Sequence, residues 1–207
     1  MFLRWWREKS SIERSNSLIF GTMLLAGVIG LLAAFVLTLE KFHLLQEPDA
    51  QLSCSLNAVL NCASVMKTWQ SSLFGFPNPI IGLMGYSVVI TVAVAGLWGV
   101  RFPKKFMVLA QVGYGLGLIF AYWLFFQSVY AIQVLCPWCL LVTVVTTILF
   151  DTLLRYNLRE NNFSLPETVH AKALSFLAKD YDKLIVVGWL VLMAALVFLK
   201  FGDGLWL

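Results

Sequence analysis

The chain has 207 residues, of which 60% are hydrophobic and only 13% charged, with a mean hydropathy of +0.82 and a net charge of +4. That charged share is about half of what a soluble domain carries, so the composition excludes an ordinary soluble protein and indicates an integral membrane one. No long basic run and no array of stacking aromatics in a polar setting is present, which argues against nucleic acid as a partner, and no Gly-rich phosphate loop occurs outside an apolar run.

Residues 1–17 form a polar, basic N-terminal segment with Arg4, Arg7, Lys9 and Arg14, and Trp5 and Trp6 suit an interfacial belt. The first apolar run, Leu18 to Leu39, is 22 residues long, enough to span a bilayer. It exceeds the core of a secretory signal and no A-x-A site follows, so it reads as a span and not a cleaved leader. A loop over 40–79 comes next, with Cys54 and Cys62 in CSLNAVLNC. Within it, Met66 to Phe76 is amphipathic and aromatic and reads as a segment lying on the membrane surface. Phe76-Pro77-Asn78-Pro79 is a rigid turn back into the membrane.

A second span covers about Ile80 to Val100, and a third about Phe106 to Phe126. In the third, GYGLG at Gly113 to Gly117 predicts close helix packing. A fourth starts at Cys136-Pro137-Trp138-Cys139 and runs to about Leu154. Residues 155–183 read as a polar loop with a short amphipathic helix. A fifth run, Leu184 to Leu199, is marginal alone but is extended by the residues to Leu207, giving a last segment over 184–207.

Five spans place the N-terminus, the 101–105 turn and the 155–183 loop on one side. These carry 4, 3 and 5 Lys/Arg, together 12 of the 15. The positive-inside rule makes that side cytoplasmic. All four cysteines then face the opposite, oxidising side, where disulfides persist.

A C-x-x-C dithiol either binds a soft metal or makes and breaks a disulfide. If a helix begins at Cys136, Pro137 fits its first turn, and the unpaired N–H groups of the helix start favour a thiolate. One pair on a loop and one at a helix tip make a two-stage relay through mixed disulfides. The loop pair can meet a soluble partner, and the helix pair a lipid-soluble electron acceptor. No haem, flavin, nicotinamide or iron–sulfur motif is present, which leaves a membrane quinone as the acceptor. Two other readings are an all-thiolate zinc site, which the loose C-x7-C spacing disfavours, and a membrane scaffold with structural disulfides.

Cys54-x7-Cys62, Ser64-Val65-Met66-x-Thr68, SLFGFPNPIIG from Ser72 to Gly82 and the C-P-W-C pair together resemble the vitamin K epoxide reductase family in its bacterial, disulfide-forming type. The resemblance covers about Leu18 to Leu154. It implies an all-α membrane protein: a four-helix bundle over 18–154 around a quinone site, a fifth span, and a loop on the extracytoplasmic side that caps the bundle.

Carried over, Cys54 is the shuttle cysteine nearer the redox partner, Cys62 exchanges with Cys136, and Cys139 faces the quinone. Asn78 matches an asparagine that hydrogen-bonds a quinone carbonyl; from the residues alone it is a turn former beside prolines. Thr68, six residues after Cys62, supports the loop. Thr143 stands where vertebrate members carry a tyrosine, a departure that counts against epoxide chemistry. The resemblance implies a separate thioredoxin-fold partner outside the cell membrane, menaquinone or ubiquinone as acceptor, and a place in the bacterial cytoplasmic membrane. The reaction expected is a quinone-dependent, disulfide-generating oxidation, with quinone or quinone-epoxide reduction by the same relay as the alternative.

Overall fold

A computed structural model describes residues 11–205. The interfacial tryptophans expected at Trp5 and Trp6 lie outside the described residues. The protein is an all-α membrane bundle with five helices long and apolar enough to cross a bilayer. Helix α1 is Ser11–Gln46, α2 Cys62–Met66, α3 Pro79–Leu97, α4 Lys104–Phe126, α5 Pro137–Arg159, α6 Glu167–Ala178 and α7 Tyr181–Phe201. Short 3₁₀ turns lie at Trp69–Ser72 and Gly202–Leu205, and α4 continues into a π-helical turn, Gln127–Ile132.

Local chemistry explains most helix ends. Pro79 and Pro137 occupy the first turns of α3 and α5, where a missing N–H costs nothing. Helix α3 stops at Trp98, and Gly99 follows with φ +86°, the left-handed conformation that favours glycine after a helix. Helix α1 does not end with its apolar run at Leu39. Its 36 residues span about 54 Å at 1.5 Å per residue, well beyond a hydrocarbon core of about 30 Å. The last two turns, with Glu40, Lys41 and His43, therefore stand above the bilayer as a post for the cysteine loop.

The spans pack in a chain of neighbours: α3 on α1, α1 on α5, α5 on α4, with α7 added against α5. Phe20, Met23, Ala34, Val89, Ala93, Leu149 and Leu153 form the buried centre. The close approach expected at Gly113 to Gly117 is not where the backbones crowd. A Cβ at Gly113 or Gly117 would meet nothing within 4 Å, and one at Gly115 makes ordinary contact with Phe150. Crowding occurs between α1 and α3, where a Cβ at Gly30 would run into the Tyr86 ring and one at Gly96 would lie 2.5 Å from the Phe20 ring. The Tyr86 hydroxyl then shares a 2.8 Å hydrogen bond with Thr146 on α5, tying three spans together.

The stretch Met66 to Phe76, expected as a segment lying on the membrane surface, is irregular in conformation. It is the end of α2, the Trp69–Ser72 turn and an irregular return, with Trp69, Phe74 and Phe76 exposed. Phe74 and Trp69 rest on Phe120 and Trp123 of α4. In the 155–183 stretch, α5 runs on to Arg159 and α6 is the short amphipathic helix.

Candidate functional site

The cysteine loop is built by asparagine turns. Asn57 Oδ1 accepts the N–H groups of Val59 (3.0 Å) and Leu60 (2.7 Å), closing a tight reversal. Asn61 caps α2, its Oδ1 accepting Ser64 N–H at 3.0 Å. Cys62 is therefore the first residue of a capped helical turn. It is joined by a disulfide to Cys54, with a Cα separation of 5.6 Å.

One parallel bridge pins this loop to the second pair. Leu135 N–H donates to Val59 O at 2.7 Å and Asn61 N–H donates to Leu135 O at 2.9 Å. The bridge puts Cys62 and Cys136 just beyond its two strands, and their sulfurs lie 3.3 Å apart. Cys136 and Cys139 are free thiols. Cys136 is the N-cap of α5, and its sulfur accepts the Cys139 N–H at 3.3 Å. A hydrogen bond from the Cys139 side chain, helped by the backbone N–H groups of Cys139 and Trp138, holds the Cys136 thiol below its ordinary value; burial and the Glu40 carboxylate work against it.

The sulfurs sit in an apolar shell. Cys54, Cys62 and Cys136 are buried with Leu37, Leu44, Leu52 and Met66, and Trp138 and Val142 pack beside them. The same loop walls a polar cleft of about 520 Å³, lined by Gln51, Ser55, Leu56, Asn61, Ser64 and Lys67 among others, the neighbours in sequence of Cys54 and Cys62.

The other residues singled out in the sequence hold backbone. Thr68 Oγ1 donates to Val65 O at 2.7 Å, at the end of α2. Asn78 is buried, its Nδ2 donating to Gln70 O at 2.6 Å and its Oδ1 accepting Leu73 N–H at 3.1 Å. Thr143 Oγ1 donates to Cys139 O at 3.0 Å, one helical turn back.

Sequence reasoning missed Glu40, Lys41, Gln70 and the Leu60–Leu135 bridge. Glu40 accepts from Ser53, and Lys41 donates to Met66 O and Ser71 Oγ. Gln70 is 7% exposed, its Nε2 donates to Gln127 Oε1, and its Oε1 has no partner among the described residues. The one available signal was a pair of opposite charges in helical continuity with an apolar run.

The residues present fit a quinone. Asn78 retains one unused amide hydrogen, and the adjoining Gln70 offers a buried free acceptor. A spare donor beside a free acceptor suits a group that is a carbonyl when oxidised and a hydroxyl when reduced. Spans α3 and α4 share no extensive face. An apolar cleft of about 350 Å³ between those two spans, touching Thr91, Ala95, Phe102 and Phe106, lies at the end away from the cysteines.

A family model for the vitamin K epoxide reductase family matches residues 22–153. No curated protein matches the chain.

Proposed function

This chain belongs to the vitamin K epoxide reductase family, and from that premise we propose that it reoxidises an extracytoplasmic thioredoxin-fold protein and passes the electrons to a membrane quinone. The observation that carries the reading is the 3.3 Å contact between Cys62, in a disulfide, and Cys136, a free thiol. Family membership makes it a membrane oxidoreductase with a cysteine relay; the direction and the partner are our reading.

Each step balances as a disulfide exchange. A thiolate of the partner attacks the Cys54 sulfur, and a second partner thiol resolves that mixed disulfide, leaving Cys54 and Cys62 reduced. The Cys62 thiolate attacks Cys136 of the inner disulfide, and Cys139 leaves as a thiolate. Cys54 then attacks Cys62, re-forming the outer disulfide and expelling Cys136. The result is an oxidised outer pair and a reduced inner pair, the pattern of sulfurs described above. A bound quinone supplies the two-electron, two-proton acceptor chemistry that restores the Cys136–Cys139 disulfide. Asn78 and Gln70 would hold its oxygen, and Cys139, half-buried in the first turn of α5, would be the sulfur that reacts with it, the role the family resemblance implies.

The polar cleft in the cysteine loop suits a hydrated protein partner. The 12 of 15 Lys/Arg in the N-terminus, the 101–105 turn and the 155–183 stretch support a cytoplasmic N-terminus and extracytoplasmic cysteines, in a bacterial cytoplasmic membrane. Epoxide reduction is the weaker alternative, because the Thr143 hydroxyl is already bound to Cys139 O.

The test is a coupled assay in liposomes with a reduced thioredoxin-fold protein and either ubiquinone or menaquinone. Wild type is expected to form one hydroquinone per partner disulfide, and Cys139→Ala none. Absence of both thiol loss and quinone reduction in wild type with either quinone would sink the proposal.

A further inference from the structure

Two adjacent residues on the protruding end of α1 grip the cysteine loop on opposite sides of its disulfide. Glu40 Oε1 accepts the Ser53 N–H at 3.2 Å and also the Ser53 hydroxyl, next to Cys54. Lys41 Nζ donates to Ser71 Oγ at 2.9 Å and to Met66 O, the last residue of the helix that Cys62 begins. Lys41 is 9% exposed, unusual for a lysine, and its ammonium is held by acceptors from the loop. Ser71 Oγ also bonds Met66 O and Thr68 O, so the ammonium closes a small network and not a single contact.

We infer that Glu40 and Lys41 are positioning residues of the relay, a two-handed clamp that holds the Cys54 arm and the Cys62 helix over Cys136. The bridge at Leu60 and Leu135 sets the loop's register along the strand direction, but it touches only the tip of the loop. Leu52 and Met66 also pack on Leu37 and Leu44 of α1, but apolar contact is non-directional, so directed bonds to the two arms are what fix the loop's angle about that bridge. Exchange needs the attacking sulfur in line with the disulfide, and a displacement of about 1 Å in such a geometry costs on the order of 10²-fold in rate. The clamp supplies that directional restraint from a helix whose lower turns are packed in the bundle. The inference rests on the relay but not on its quinone acceptor.

The measurement is internal exchange in the full-length protein in detergent, with no quinone and no partner protein. The reduced protein receives a brief pulse of a small disulfide, is acid-quenched at intervals, and is mapped by mass spectrometry for Cys54–Cys62, Cys62–Cys136 and Cys136–Cys139. Lys41→Met and Glu40→Ala are expected to slow redistribution between the pairs at least tenfold. Lys41→Arg and Glu40→Gln, which keep a donor and an acceptor in place, are expected to recover most of that loss. Ser53→Ala and Ser71→Ala each remove one contact from the loop side and are expected to slow exchange two- to fivefold, which keeps the test open if a helix variant fails to fold. Wild-type exchange rates in all four loss variants overturn the clamp. So does slow exchange that the conservative variants do not recover, since that marks a general folding defect. Normal internal exchange with no quinone reduction in the coupled assay would overturn the proposed acceptor and leave the clamp standing.

Discussion

Cys136 is acidified by its position. As N-cap of α5 it accepts the Cys139 N–H, and the Cys139 thiol beside it donates to the same sulfur. A donor to the charged form stabilises the thiolate and lowers the pKa. In protein with the outer disulfide closed, alkylation of Cys136 is expected to reach half its maximal rate below the ordinary thiol value of about 8.5. Cys139→Ala removes the largest of these donors, so the midpoint should move up; a midpoint that stays put or falls would show that the side-chain bond is not the cause. The sequence made this thiolate legible, because C-P-x-C at a helix start is a local signal. It did not make Asn78 legible from the residues alone. An asparagine between prolines reads as a turn former, and the two bonds that tie it to Gln70 and Leu73 depend on how the irregular return folds.

At the scale of elements, five apolar runs identified five spans, because hydropathy over some twenty residues reports the solvent directly. It does not report where a helix ends once it leaves that solvent. Helix α1 continues to Gln46 because its polar residues find partners in the loop, a tertiary cause that no local pattern carries. The small-residue pattern of α4 misled for a related reason: glycine spacing marks a contact only where another helix lies opposite. The contact is at Gly30 and Gly96. Gly30→Val places carbons into a Tyr86 ring that Thr146 holds in place, and is expected to destabilise the bundle by about 1–3 kcal/mol. Gly113→Ala, facing open space, should be neutral or slightly stabilising, since alanine is the better helix former. Thermal unfolding of both variants in one detergent checks the contrast; equal losses would contradict this packing.

For the molecule as a whole, the fifth span joins the two ends of the site-bearing bundle. At its start, Arg155 on α5 bonds both oxygens of Asp182, which is 7% exposed, and pairs with Asp180 at 2.9 Å. At its other end, Met193, Val197 and Phe201 pack with Val59, Leu60, Val129 and Leu135, directly behind the bridge. The remainder of α7 is mostly open to lipid. In sequence, residues 155–183 read as a polar loop with a short amphipathic helix, which is α6, but the ion pairs were not legible, because pairs formed across 27 positions leave no periodic trace. Arg155→Met leaves Asp182 without its counter-ion and should lower stability by about 1.5–3 kcal/mol. Arg155→Met combined with Asp182→Leu should lose less than the sum of the single changes. Strict additivity in chemical unfolding would mean that the pair does not couple the two helices.

The bridge between Leu60 and Leu135 also decides what the relay can be short-circuited by. Reactants held as near each other as Cys62 and Cys136 behave as though each saw the other at roughly 10⁵ M or more. A free small thiol at about millimolar concentration, exchanging by the same chemistry, competes for that sulfur at a disadvantage of many orders of magnitude. The hydrophobic shell narrows its access further. In the proposed relay, electrons inside the protein are thus kinetically insulated from the thiol pool around it, and exchange with that pool is confined to the outer Cys54–Cys62 disulfide.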